Sequence, residues 1–160
     1  QGFYFFEDDF SKDQLEKNFD FYEPFTVHES SLSPSIHAVL AAKLGRIEQA
    51  YNFYLRTSRL DLDDYNTEVK DGLHITSMAG TWLSVVEGFG GMRIKNDAVY
   101  FNPQLPKAWK SLSFKINFRG SVLELSVSST NSKVSLIEGD PVSVFLNDQA
   151  VSFDPKTILS

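Results

Sequence analysis

Cysteine is absent from the 160 residues. That excludes a disulfide framework, a thiol nucleophile and a thiolate metal site. An excess of positive charge is absent too. The formal net charge is −6 at pH 7, whereas nucleic acid and anionic membranes call for a basic face. No apolar run approaches the roughly 18 residues that a membrane-spanning helix needs. Gly2-Phe3-Tyr4-Phe5-Phe6 is too short for the apolar core of a signal peptide and runs straight into Glu7-Asp8-Asp9. An initiating Met is lacking as well. Gln1 opens the chain, which reads as a mature, processed or excised piece. The expectation is a cytoplasmic protein with neither nucleic acid nor a membrane as partner.

What is present is ordinary globular material. Hydrophobic residues make up 42% and charged residues 22%, and the length suits one medium domain or two small units with a real core. Aromatics reach 14%. They are expected to fill cores before they line a sugar site.

The first half has helical grammar. Residues 1–10 read as the exposed end of a segment continued upstream. A helix is expected from Ser11 to about Tyr22, where Ser11 and Gln14 form a capping-box pattern and Leu15, Phe19 and Tyr22 share a face. Pro24 ends it. Ser33-Pro34 is a second start signal, a capping hydroxyl followed by Pro at the first helical position. Ile36, Val39, Leu40 and Leu44 follow at helical spacing, and Gly45 closes the helix. Ile47, Ala50, Tyr51, Tyr54 and Leu55 then share a face, so Gly45 joins a tight helical hairpin. A third strong helix is expected from about Thr76 to Glu87. It is apolar almost all round, which marks a central element.

After Gly88-Phe89-Gly90-Gly91 the period changes from helical to two. Leu112, Phe114, Ile116 and Phe118 alternate with polar residues, Arg119-Gly120 makes a turn, and Leu123, Leu125 and Val127 alternate on the return. Shorter strands are expected at 133–137, 142–146 and 149–153. Residues 1–94 therefore read as helical and residues 95–160 as a small antiparallel β domain. The helical half has too few helices for a closed bundle and reads as part of a larger array.

Two stretches carry candidate chemistry. One is Thr26-Val27-His28-Glu29-Ser30-Ser31-Leu32-Ser33, and the other is Asp71-Gly72-Leu73-His74-Ile75-Thr76-Ser77. Each puts His and hydroxyls immediately before a helix. A helix N-terminus offers unpaired N–H groups and partial positive charge, which suits an anion such as phosphate. A zinc site would need three or four ligands, and His28, His37 and His74 lack the spacing. A Gly-x-Ser-x-Gly elbow for a serine hydrolase is missing. Asp61-Leu62-Asp63-Asp64 lacks the Gly and closing Glu of a calcium loop, and is expected to be a solvated or helix-capping turn. Both His residues could equally serve as structural members of a helical core.

Thr26 to His37, Ala50 to Asn66 and Gly72 to Arg93 resemble the C-terminal part of glycoside hydrolase family 65. The resemblance is strong over roughly residues 1–105, and the β tail agrees with it. It implies the last helices of an (α/α)6 barrel followed by a small antiparallel β-sandwich. It also implies inverting phosphorolysis of an α-glucoside, maltose first, with a Glu acid on one face of the sugar and phosphate on the other. No cofactor or metal is implied, and a homodimeric parent is expected. The catalytic Glu lies upstream of this chain, so none of Glu29, Glu68 or Glu87 takes that role and the isolated piece is expected to be inactive. The phosphate side is expected at His74, Ser30, Ser31 and His28, with Ser77 and Gly80 weaker. An alternative is a trehalase-like hydrolase of the same architecture, with Glu68 as water base. A further one is a non-catalytic carbohydrate-binding or packing module.

Overall fold

A computed structural model of the protein describes residues 1–28, 32–64, 67 and 69–153. The chain divides into two compact units, Gln1–Gly88 and a second from Phe89 onward.

The first unit is helical. Short helix α1 (Gly2–Phe5) and a 3-10 turn precede α2 (Lys12–Tyr22), which begins with the expected capping box between Ser11 and Gln14. Leu15 and Phe19 are buried, but Tyr22 is not. The start of α3 (Ser33–Lys43) departs from expectation. Leu32 occupies the cap position without a side-chain bond, and Ser33 is already helical. Its hydroxyl lies instead 3.0 Å from Nδ1 of His28, so it satisfies a ring rather than the helix end. At the far end the Gly45 N–H donates to Ala42 and the Arg46 N–H to Ala41. Gly45 has φ +79°, a conformation cheap only for glycine, which closes the helix and turns the chain into α4 (Ile47–Ser58). The buried positions of α4 are Ala50, Phe53 and Thr57. This face is rotated away from the expected stripe of tyrosines, because α3 brings Ala38, Ala41 and Ala42 into the core and favours close contact. A single turn, α5 (Leu60–Asp63), follows.

Helix α6 (Ile75–Leu83) continues into a π-helical segment over Ser84–Phe89. Its burial is the reverse of the expectation of a central apolar rod. Ser77, Gly80 and Ser84 are buried, whereas Ile75, Met78 and Trp82 are exposed. The reason is steric. A Cβ at Gly80 would lie 2.6 Å from Cβ and Oγ of Ser35, closer than any side chain tolerates, so only the small side of α6 can approach α3. Ion pairs tie the early segment to this core. Lys43 meets the buried Glu7 at 3.0 Å, and Arg46 binds Asp20 and Glu16.

The second unit holds two sheets. One contains β1 (Arg93–Lys95), β2 (Ala98–Phe101), β6 (Val144–Leu146) and β7 (Gln149–Ala150) in the order β1-β2-β6-β7. The other is the meander β3 (Ser111–Phe118), β4 (Ser121–Ser128), β5 (Ser132–Glu138). Pairing is antiparallel except between β2 and β6, which run parallel. Register sets Phe114 opposite Leu125 and Ile116 opposite Leu123, which puts both apolar rows on one face. Val99, Phe101, Leu123, Leu125 and Val144 form the buried centre. The two-residue turn Asn96-Asp97, both with positive φ, joins β1 to β2, two short strands that strand-length reasoning passes over.

Candidate phosphate-binding end of the helical unit

Close contacts fix how α3, α4 and α6 lie together. Gly80 faces Ser35 and Thr57, and farther along Gly88 faces Val39 and Ala42. The contacts advance in the same chain direction on α3 and α6, so these two helices run side by side in the same sense. Their N-termini share one end. Thr57, near the C-terminus of α4, lies at that end as well. The starts of α3 and α6, far apart in sequence, therefore lie toward the same end of the helical unit.

His74 is the cap residue of α6. Its ring is held by a residue that sequence reasoning placed only in an acidic turn. His74 Nδ1 lies 2.5 Å from Asp61 Oδ1, and the His74 backbone N–H donates to Asp61 Oδ2 at 3.0 Å. The ring bond and then the backbone bond hold the Asp61 carboxyl below its usual value. An ionised carboxylate only accepts, so Nδ1 carries the ring proton. The same carboxylate caps the helix, as the helix-capping reading of that turn anticipated. Asp61 is itself held on both sides. Leu60 is buried, and Arg59 forms a two-pronged pair with Asp63 at 2.6 and 2.8 Å.

His28 lies in a different setting. Its ring stands perpendicular to that of His37, with centroids 4.6 Å apart, and 4.9 Å from that of Phe53. His37 Nδ1–H donates to the Ser33 carbonyl at 2.8 Å. His28 Nε2 is enclosed and has no hydrogen-bond partner among the described residues, with Glu23 Oε1 at 3.9 Å. Burial first, then the neighbouring His37 and Arg56, push the His28 pKa down to about 4. Burial lowers that of His37 too. Both rings are therefore neutral at pH 7. They brace the base of the loop and add no positive charge.

Of the other expected residues, Ser77 is buried within the helix packing and its carbonyl accepts from the Thr81 hydroxyl at 2.8 Å. Gly80 sits in the α3–α6 crossing. Ser30, Ser31 and Glu68 lie outside the described residues. Glu87 accepts from the Tyr4 hydroxyl at 2.6 Å. Two residues were missed. Asp61 gives no local signal, since its target is 13 positions away. Arg56, on the last turn of α4, brings a cation whose charge reaches His28. Among the described residues no group of three or more His, Asp or Glu is gathered as a metal centre would require. A groove of about 490 Å³ beside α2 and α3 is lined mainly by Leu15, Phe19, Tyr22, Ile36 and Leu40, a surface unsuited to a phosphate.

Residues 1–83 match the glycosyl hydrolase family 65 central catalytic domain, and residues 92–153 match the C-terminal domain of the same family. The chain belongs to glycosyl hydrolase family 65. Family 65 relatives include the maltose phosphorylase of Bacillus subtilis (strain 168), 48% identical over 151 residues. The α,α-trehalose phosphorylase of Thermoanaerobacter brockii is 46% identical over 142 residues. These alignments cover 94% and 89% of this chain but 20% and 18% of the relatives. A solved structure assigned to a kojibiose phosphorylase from the human microbiome superposes with a TM-score of 0.87 at 39% identity, covering 93% of this chain and 22% of that one. The chain thus spans about a fifth of the length of these family 65 relatives.

Proposed function

We propose that the parent of this chain is an inverting disaccharide phosphorylase, and that this segment supplies the phosphate side of its site. The observation that carries the proposal is His74 at the start of α6, oriented by Asp61, with α3 packed beside α6 at Ser35 and Gly80. In this reading the helical unit is the last part of an (α/α)6 barrel and the catalytic acid comes from elsewhere in the parent. Phosphate attacks the anomeric carbon of the bound glucoside while that acid protonates the leaving oxygen, giving β-glucose 1-phosphate and a free sugar. His74 is the foremost phosphate ligand, with Ser30 and Ser31 beside it and the α6 N-terminus behind it. His28 shapes the loop from a neutral, enclosed position. The reaction calls for no cofactor or metal, and the enzyme acts in the cytoplasm as a homodimer.

Maltose is the proposed substrate, on the strength of the Bacillus subtilis relative. Relatives named as trehalose and kojibiose phosphorylases stand close behind. The phosphorylase names also weigh against the hydrolytic alternative through Glu68. The test uses the full-length parent with maltose, trehalose, kojibiose and nigerose, each with and without phosphate. Sugar release only with phosphate is expected, fastest from maltose. Release without phosphate would make it a hydrolase. His74→Ala should raise the phosphate KM about tenfold or more, the usual consequence of losing a hydrogen bond to a charged group. An unchanged phosphate KM would remove His74 from the site. The 160-residue chain alone is expected to show no turnover.

A further inference from the structure

Four of the five arginines have partners. Arg46 binds Asp20 and Glu16, and Arg59 holds Asp63 with two bonds. Arg93 donates to the Met92 carbonyl, and Arg119 meets Asp97. Arg56 is the exception. It is part-buried, yet among the described residues it has neither an ion pair nor a hydrogen bond. Acids are not in short supply, since Asp and Glu outnumber Lys and Arg 21 to 15. A guanidinium keeps its charge in a protein, and drawing a charge out of water without a partner is costly. The arrangement calls for an anion from outside.

The place of Arg56 in the fold says which anion. Arg56 stands on the last turn of α4, where that helix meets both helix starts. On one side is His28. Phe53, nearly one turn earlier on α4, lies 4.9 Å from the His28 ring, and the charge of Arg56 reaches that ring. On the other side is α6. A Cβ at Gly80 would lie 3.4 Å from Cγ2 of Thr57, the residue after Arg56. A few positions farther along the chain is Asp61, which holds His74. His28 and His37 are neutral at pH 7 and bring no charge. Arg56 brings one that does not depend on pH.

We propose that Arg56 binds the phosphate substrate, its guanidinium taking two oxygens of the dianion while α4 fixes its stem. This rests on the reading of this end of the unit as the phosphate side of the site. The planar fork of a guanidinium matches two phosphate oxygens, and the bonds are charge-assisted. A helix N-terminus supplies only partial charge, whereas Arg56 supplies a whole one. The sugar phosphate formed keeps the same anionic group. Arg56 therefore grips substrate and product alike, which is uniform binding and acts on KM more than on kcat.

Two structural roles would leave Arg56 without phosphate. It could complement the C-terminal dipole of α4, or it could pair with an acid from another part of the parent. The experiment compares full-length wild type, Arg56→Gln and Arg56→Lys in phosphate KM, disaccharide KM and kcat, and in thermal unfolding with inorganic phosphate alone. Arg56→Gln should raise the phosphate KM about tenfold or more, with the disaccharide KM unchanged and a smaller change in kcat. The KM of the sugar phosphate in the reverse direction should rise with it. Phosphate should raise the Tm of the wild type by more than that of Arg56→Gln. Arg56→Lys serves the helix dipole equally but loses the fork, so its phosphate KM should fall between, and it carries the test if Arg56→Gln does not fold. An unchanged phosphate KM in Arg56→Gln would overturn the proposal. If His74→Ala still raises that KM, the phosphate reading stands without Arg56. Equal rises in the phosphate and disaccharide KM would also overturn it and assign Arg56 to packing. An unchanged phosphate KM in both Arg56→Gln and His74→Ala would overturn both readings.

Discussion

In strand β4 the apolar residues Leu123, Leu125 and Val127 point inward, and Ser126 points out. In helix α6 the assignment is reversed. Ser77, Gly80 and Ser84 point inward, and Ile75, Met78 and Trp82 point out. The contrast extends to whole units. Among the described residues, every exposed large apolar side chain except Ile94 and Ile137 belongs to the helical unit. The sheet unit satisfies its own hydrophobic pattern. The helical unit satisfies only its close-packing contacts and holds outward a face rich in Leu, Ile, Met and Trp. A helix that packs closely through small residues on one side and is apolar on the other is built to lie between two layers. The central catalytic domain that this unit matches belongs to relatives about five times as long, which provides room for a second layer.

The largest expected effect would sharpen that contrast. Leu125 is 0% exposed, so Leu125→Ala should cost about 3–4 kcal/mol through lost burial and a residual cavity. Met78 is 47% exposed, and Met78→Ala should cost less than about 0.5 kcal/mol in the 160-residue chain. Urea unfolding of both variants checks this. Equal costs would mean that the outer face of α6 is covered in the chain itself.

A smaller effect separates the units by pH. All three His residues, 28, 37 and 74, fall in the helical unit. Folded His28 has a pKa of about 4 against the ordinary 6.5. Between those values the unfolded chain takes up a proton that the folded chain refuses, so stability is full above 6.5 and is lost as the pH falls toward 4. The loss from His28 is about 2–3 kcal/mol, and His37 acts in the same direction. Circular dichroism melts between pH 7 and 4 should show the helical signal falling earlier at each step, with a smaller change in the sheet unit. Replacing His28 by Gln should flatten that dependence. An acid loss shared evenly by both units would break the comparison.

Features written in neighbouring residues could be read from the sequence. The capping box at Ser11 and Gln14, the closure at Gly45 and the hairpin through Arg119-Gly120 depend on chemistry within a few positions, and each appears where expected. Features that depend on a distant partner could not. Ser33 has the form of a helix cap, yet its hydroxyl is claimed by His28. The buried side of α6 is set by Ser35 and Thr57 on other helices, and no count of apolar residues along α6 reveals it. Asp61 reads as one acid among several until His74 folds onto it. The helix starts at Ser33 and near Ile75 were visible, because each carries local start chemistry, whereas the side-by-side run of α3 and α6 was not.

The crossing at Gly80 and Ser35 also acts as a datum for length. From Gly80 back to His74 is six residues of helix, or about 9 Å at 1.5 Å per residue. From Ser35 back to the start of α3 is about half a turn. One residue inserted between His74 and Gly80 would carry the ring about 1.5 Å along the axis and swing it by about 100°, away from Asp61. The count from His74 to Gly80 therefore sets where the ring meets Asp61, so spacing as well as residue identity holds that pair together.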